Sequence, residues 1–296
     1  MNPNTSIRPE TVTGPAPVAA GPARPSALER LRRVDVGTAL AWLVVLVAVA
    51  WALAPGLFTS ADPVTGIAAD ALRPPDAEYP FGTDATGRDV FTRVVYGSVH
   101  SLSGALIAVT VGLVAGTLIG AVAGTVGGLV EDVLMRVVDV LLAVPSLLLS
   151  LSVVIVLGFG TAQIAFAVGV AGVAAFARLA RSEVVRVRAT DYVEAAYAGG
   201  GRFLTVLWRH VLPNSLTAVA ALAALQFGTA ILAISTLGFL GYGAPPPTPE
   251  WGLMIAEGRD YVATSWWLTT LPGLVVVAVV LSANRISASI ARRGRA

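Results

Sequence analysis

Glu194-Ala-Ala-Tyr-Ala-Gly-Gly-Gly-Arg-Phe-Leu-Thr-Val-Leu-Trp-Arg-His-Val-Leu-Pro-Asn214 is a polar, helix-prone stretch set between long uncharged runs. A chain built for hydrocarbon gives such a stretch to an aqueous partner. The surroundings are of that kind: 55% of residues are apolar and only 13% charged, where soluble domains average roughly 25% charged. Five uncharged stretches carry the apolar weight, at 36–61, 101–130, 140–177, 211–249 and 261–284. Each holds a span of about 20 residues.

The stretch 140–177 decides the count. One straight helix over it would run about 57 Å at roughly 1.5 Å per residue, against a hydrocarbon core of about 30 Å. Gly158-Phe-Gly-Thr161 supplies turn residues near its middle. Two helices result, and the expected spans are 37–55, 100–126, 134–157, 162–181, 213–241 and 267–286. Residues 1–34, rich in Pro, Ala and Thr, read as a disordered tail and not as a signal peptide, which needs an early apolar core.

Six spans put both termini and the 182–212 segment on one side. Sixteen of the 20 basic residues, all of them Arg, fall on that side. Only Arg73, Arg88, Arg93 and Arg259 fall on the other, while the acidic residues divide nine and nine. The positive-inside rule therefore predicts that both termini and 182–212 face the cytoplasm.

Composition also excludes chemistry. The chain has no Cys, so it forms no disulfide and no zinc-thiolate site. His100 and His210 are its only histidines and suggest no metal centre. Without Lys it has no phosphate-binding P-loop and no Schiff base. If ATP drives this protein, another chain binds it. No arrangement of carboxylates, His or Ser points to catalysis, and nothing points to nucleic acid.

Within the opening stretch, Asp191 followed by Glu194 has the spacing of a capping box. Ala195 and Ala196 are small enough to let a partner surface come close. Gly199-Gly200-Gly201 ends or bends the helix. A second amphipathic turn follows, with Phe203, Leu204, Leu207 and Trp208 apolar and Arg202 and Arg209 charged. Pro213 then opens the fifth span where helices tolerate it.

Glu194, Ala195, Ala196, Gly200, Leu212 and Pro213 match the coupling motif of ABC-importer permeases, which this stretch resembles. His210 departs from that general pattern. Arg209-His210-Val211-Leu212-Pro213-Asn214 is similar instead to the variant of the dipeptide/oligopeptide/nickel family. Phe81-Gly-Thr-Asp84-Ala-Thr-Gly-Arg88-Asp89-Val-Phe-Thr-Arg93-Val-Val-Tyr-Gly97 and Trp251-Gly-Leu-Met-Ile-Ala-Glu257-Gly-Arg259 resemble two further segments of that family, in its DppC/OppC-type subunit. The resemblance spans roughly residues 80–290. It implies an all-α membrane protein of six transmembrane helices, with the type I importer permease (MetI-like) fold and, counted among the six, one extra N-terminal span. The layout would be a first span at 35–56, an outer loop with an amphipathic segment at 57–98, a permease core at 99–290 and a tail at 291–296. It further implies a multi-pass permease of the bacterial plasma membrane, forming half of a path for di- or oligopeptides. The implied partners are a second, DppB/OppB-type permease, two ATP-binding subunits that hold ATP and Mg, and an extracytoplasmic solute-binding protein. This chain itself would bind no cofactor and no metal. Asp191, Arg209 and His210 join the motif residues as the ATPase-coupling set. Relatives of this type also carry nickel chelates and glutathione.

Other residues have two readings each. Asp84, Arg88, Asp89, Glu257 and Arg259 are docking residues for an external partner, or local caps and ion pairs. Ser146, Ser150, Gln226, Thr229 and Ser235 line a translocation path, or bond between helices. Pro145 is placed to kink the third span. Arg136 and Asp139 share a helical face as an ion pair near the interface. Trp251, Trp266 and Trp267 suit an interfacial aromatic belt. Gly112, Gly116, Gly120, Gly124 and Gly128 form a strip for close helix approach. A self-contained secondary transporter would favour inverted repeats and midplane charge, and neither stands out. A passive membrane anchor would leave the coupling pattern unexplained.

Overall fold

The uncharged runs coil because hydrocarbon offers no partner for a bare peptide group, and a helix satisfies its N–H and C=O groups within one segment. The computed structural model describes residues 36–293. The tail expected over 1–34, and the last three residues of the 291–296 tail, lie outside the described residues. In chain order the helices are α1 (Val36–Leu53), α2 (Val90–Val126), α3 (Gly128–Ala143), α4 (Ser146–Leu157), α5 (Thr161–Arg188), α6 (Asp191–Ala198), α7 (Phe203–Val206), α8 (Leu212–Phe239), α9 (Trp251–Gly258) and α10 (Trp267–Arg293). Among the described residues the only extended pairing is one isolated bridge between Thr83 and Asp89.

The long helices alternate in direction. They leave residues 189–211 at one end, the base, and the connections 54–89 and 240–266 at the other, the crown. Five helices are long and apolar enough to cross a membrane unbroken. The remaining expected span, the third at 134–157, is not one helix. It is α3 and α4, bent by 96° at Val144-Pro145. Proline pushes the preceding residue out of helical geometry, and Val144 sits at φ −88°, ψ 129°. The turn expected at 158–160 is present, with Gly158 at φ +91° and Gly160 at φ +140°.

The second span starts earlier than residue 100. Asp89 caps α2, accepting from the N–H groups of Phe91 and Thr92 at 3.1 Å each. Residues 90–98, read from sequence as loop, are therefore helical. Arg93 and the polar residues after it hide this start, because their charge and hydroxyls lie inside the protein and not in water.

Helix α2 packs on α5 along the glycine strip. A Cβ at Gly116 would lie 2.5 Å from the carbonyl oxygen of Val173, and one at Gly120 would fall on that of Ala177. Backbone meets backbone here, which is how helices gain contact where the surroundings are as apolar as their side chains. Gly128 is not part of the contact. It begins α3 at φ +57°, in open space.

Two further expectations are corrected. Asp139 pairs with Arg178 of α5 and not with Arg136. Trp251 and Trp267 are buried, their indole N–H groups donating to the carbonyls of Val94 at 2.9 Å and Thr83 at 3.2 Å. Of the three tryptophans only Trp266 is exposed.

Gly120→Val is expected to destabilise the protein by at least about 1–3 kcal/mol, the usual cost of overpacking. Thermal unfolding in detergent micelles reads this as a lowered midpoint. Gly56→Ala, whose Cβ meets nothing within 4 Å, should leave the midpoint in place.

Candidate functional site

At the base, the chain between α5 and α8 folds into a small helical hairpin. Thr190, not Asp191, is the N-cap of α6, and its hydroxyl turns back to the carbonyl of Val187 at 2.6 Å. The capping box expected at Asp191 and Glu194 is not formed. Both carboxylates sit in the first turn, where the helix dipole favours negative charge.

The helix ends in a Schellman motif. Gly201 N–H donates to Ala196 O at 3.0 Å and Gly200 N–H to Tyr197 O at 2.9 Å, with Gly200 at φ +84°. A Cβ at Gly200 would touch nothing. The need for glycine there is conformational alone.

The return arm widens before it enters the bundle. Residues 207–211 form one π turn, in which Leu212 N–H donates to Leu207 O. Pro213 follows with no N–H to continue the ladder. The carbonyl of His210 accepts from the Tyr192 hydroxyl at 3.1 Å and the Asn214 side-chain amide at 2.6 Å, which tie α6 to the start of α8. His210 thus acts through its backbone, with its ring edge-on to Tyr192. Asn214 entered the sequence reading only as the last residue of the Arg209–Asn214 variant, and Tyr192 escaped it, because its acceptor lies 18 residues away in sequence.

The hairpin is seated on valine. Val184, Val187, Val193, Val206 and Val211 form one buried cluster, with Ala121, Ala196 and Leu207 packed around it. Full burial of a valine is worth roughly 1.5 kcal/mol or more. Five of them outweigh a screened surface ion pair such as Arg186–Glu183. Polar ties complete the seat. Arg188 donates to the carbonyls of Gly124 at 2.6 Å and Thr125 at 2.8 Å, closing the end of α2. Arg181 pairs with Glu131 of α3. Of the expected coupling residues, Asp191, Glu194, Ala195, Gly200, Arg209 and Pro213 are exposed, while Ala196, His210 and Leu212 are half-buried. Tyr192, Tyr197, Phe203 and Trp208 are exposed beside them.

Deeper in the bundle, a cavity of about 260 Å³ opens between α2, the bend of α3 and α4, α5 and α8. Ser146, Ser150, Gln226 and Thr229 all line it, and none of its lining residues is charged. The Ser150 and Thr229 hydroxyls turn back to the carbonyls of Ser146 at 2.8 Å and Gln226 at 2.9 Å. Ser235 is not at this cavity. It lies against Gly252, where α8 meets α9.

At the crown, the expected docking residues divide. Asp89 caps α2. Asp84 accepts from the Arg88 guanidinium at 2.6 Å and from the N–H groups of Thr86 and Arg88, and Glu257 lies 3.7 Å from the same guanidinium, around a small cavity that also touches Arg93 and Tyr261. Burial alone would raise the Asp84 carboxyl, but the N–H groups of Arg88 and Thr86, the Thr86 hydroxyl and the Arg88 charge hold it below its usual range. Arg259 stays at the surface, 6.0 Å from the Phe239 ring. The sequence reading gave no site role to Arg93, which lies in the family-like segment 81–97, or to Glu250, and both are buried. Burial pushes the Glu250 carboxyl up, against hydrogen bonds from Gly252, Leu253 and Ser101 that favour the ion. Among the described residues no three His, Asp or Glu side chains group as metal ligands.

A family model described as "Binding-protein-dependent transport system inner membrane component" matches residues 116–295, a range that holds both the hairpin and most of the cavity wall. The chain is 38% identical over 259 residues to a Dipeptide transport system permease protein DppC of Alkalihalophilus pseudofirmus, covering 88% of this chain and 84% of that one. It is 39% identical over 210 residues to a Glutathione transport system permease protein GsiD of Escherichia coli, covering 71% and 69%. In fold it is similar to an inward-facing MetNI methionine ABC transporter, with a TM-score of 0.52 at 16% identity over 67% of this chain and 96% of that one. The all-α architecture is thus the MetI-like permease fold with an added first helix. This chain belongs to the family of inner membrane components of binding-protein-dependent transport systems.

Proposed function

We propose that the chain is one permease half of an ATP-driven peptide importer, with its base and both termini in the cytoplasm. The observation that carries this is the base hairpin. It presents the coupling-motif residues to solvent on a valine seat continuous with α2 and α5, two helices that wall the uncharged cavity. A pull on the hairpin therefore reaches the cavity through packed backbone. The pull would come from two ATP-binding subunits holding ATP and Mg, since this chain has no Lys to build a P-loop. A second, DppB/OppB-type permease would complete the path, and an extracytoplasmic solute-binding protein would deliver the cargo.

Peptide is the favoured cargo on both similarity and chemistry. The dipeptide permease relative covers most of the chain. Hydroxyl and amide groups in an otherwise apolar wall can meet a peptide backbone without choosing its side chains, which leaves selection to the solute-binding partner. Glutathione is the second reading, favoured by the match to a glutathione permease, and it is itself a small peptide.

Proteoliposomes carrying this chain with the three kinds of partner are expected to accumulate labelled dipeptide only with ATP inside, and the chain alone should accumulate none. The double variant Glu194→Arg, Gly200→Asp should abolish uptake; unchanged uptake would sink the coupling assignment. Gly200→Ala should lower the unfolding midpoint, costing about 1 kcal/mol for a Cβ forced into left-handed geometry, while Gly200→Asn, which tolerates that geometry, should cost less. Gly172→Phe tests the path. A Cβ there meets only the Gln226 amide, at 3.8 Å, so the ring would enter the cavity. Uptake should fall while assembly of the complex and its ATP hydrolysis persist.

A further inference from the structure

We infer that Arg93 and Glu250 are positioning residues of the transport cycle, riveting the crown helix α9 to α2 at both of its ends so that the two move as one body. This rests on the function proposed above. The geometry starts at Arg93, in the first turn of α2 and 1% exposed. Its guanidinium donates to the carbonyls of Pro63 at 3.0 Å and Pro247 at 3.2 Å, and to the Glu257 carboxylate at 3.0 Å. One side chain thus ties α2 to three separate stretches of the crown, the last of them the C-terminal end of α9.

Glu250 holds the opposite end. It is 2% exposed and caps α9, accepting from the N–H groups of Gly252 at 3.0 Å and Leu253 at 2.8 Å, and from the Ser101 hydroxyl of α2 at 3.2 Å. The same hydroxyl is 3.3 Å from Trp251 N, and the Trp251 indole donates to Val94 O.

The spacing makes these ties a clamp. Residues 93 and 101 are two turns apart on α2, and residues 257 and 250 are two turns apart on α9. The helices run antiparallel, with 101 against 250 and 93 against 257. Two attachments on one rigid element suppress rotation as well as sliding, which a single contact does not. Apolar burial could have held α9 more simply. Replacing a buried ion pair by packed hydrophobes is often neutral or stabilising, so on this inference the pair is kept for the orientation it sets. The clamp lies at one end of α2, and the glycine contact with α5 and the Arg188 tie lie at the other. Motion imposed at the base would therefore reach α9 without slack.

The test uses the complete reconstituted complex. The chain has no cysteine of its own, so Ser103→Cys on α2 and Val262→Cys just after α9 accept spin labels cleanly, given cysteine-free partners. The label-to-label distance is expected to be the same in the nucleotide-free and vanadate-trapped states. It should become state-dependent in Arg93→Lys, which keeps the charge and loses the fork. In Arg93→Lys and in Glu257→Gln, uptake should fall about tenfold or more, the size expected when a hydrogen bond to a charged group is lost. ATP hydrolysis should continue, so more ATP is consumed per solute. Glu250→Gln combined with Ser101→Ala should show the same split. A label distance that shifts between states in the intact clamp overturns the inference, as does an unchanged ratio of ATP to solute in assembled Glu257→Gln complexes. If the unmodified complex imports nothing with ATP, the proposed function fails, while the label distances still judge the clamp.

Discussion

Close approach between α2 and α5 is the contact on which the rest depends. In hydrocarbon, two helices gain little by hiding apolar side chains from neighbours that are equally apolar. Contact must come from bringing backbones together. Gly116 and Gly120 allow this by leaving room for the carbonyls of Val173 and Ala177. Helix α5 answers with Gly169, whose Cβ would lie 2.7 Å from Val111 Cβ. Once the pair is locked, the base hairpin has a fixed seat, and Ala108, Val109, Ala175 and Phe176 stand on fixed cavity walls.

Charge is placed at the two ends of this pair. At the base, Arg188 closes carbonyls that α2 leaves unsatisfied at its end, and Arg181 reaches α3. At the crown, Arg93 closes carbonyls of two loops and meets Glu257. Neither Arg188 nor Arg93 is a simple surface ion pair. Each satisfies backbone groups from elements distant in sequence, so each fixes how those elements meet. Between the two ends the cavity wall holds hydroxyls and an amide but no charge, which avoids the cost of a bare ion in the apolar zone.

Much of this was legible from sequence. Uncharged runs marked the spans, Gly158 and Gly160 marked the turn, and the four-residue glycine spacing marked the close contact of α2 with α5. Gly200 was legible as a helix stop, and four of the five expected path residues meet at one cavity. What stayed hidden has a common cause. Arg93 and Glu250 are charged residues that each have a side-chain partner far away in sequence, 164 and 149 residues off, so local pattern assigned them to surface loops. Trp251 read as an interfacial anchor because its indole acceptor, Val94 O, belongs to another helix. Asp139 found Arg178 across a helix pair in place of the neighbour on its own face. Local rules assign a polar side chain to the nearest partner, and here tertiary packing supplied a better one.

The bend at Pro145 separates two mechanical regimes. On one side of the cavity stand α2 and α5, joined by backbone contact. On the other stands the α3 and α4 pair, broken where Val144 leaves helical geometry. Ser146 and Ser150 follow directly after that break and line the same cavity as Gln226 and Thr229 of α8. A helix interrupted by proline lacks a continuous ladder of hydrogen bonds to resist bending. On the proposed reading, a displacement delivered through the stiff pair would be absorbed at this break, and the polar cavity lining would change its spacing first. The glycine strip and the proline break are then complementary. One transmits a displacement and the other yields to it, at the cavity where cargo would pass.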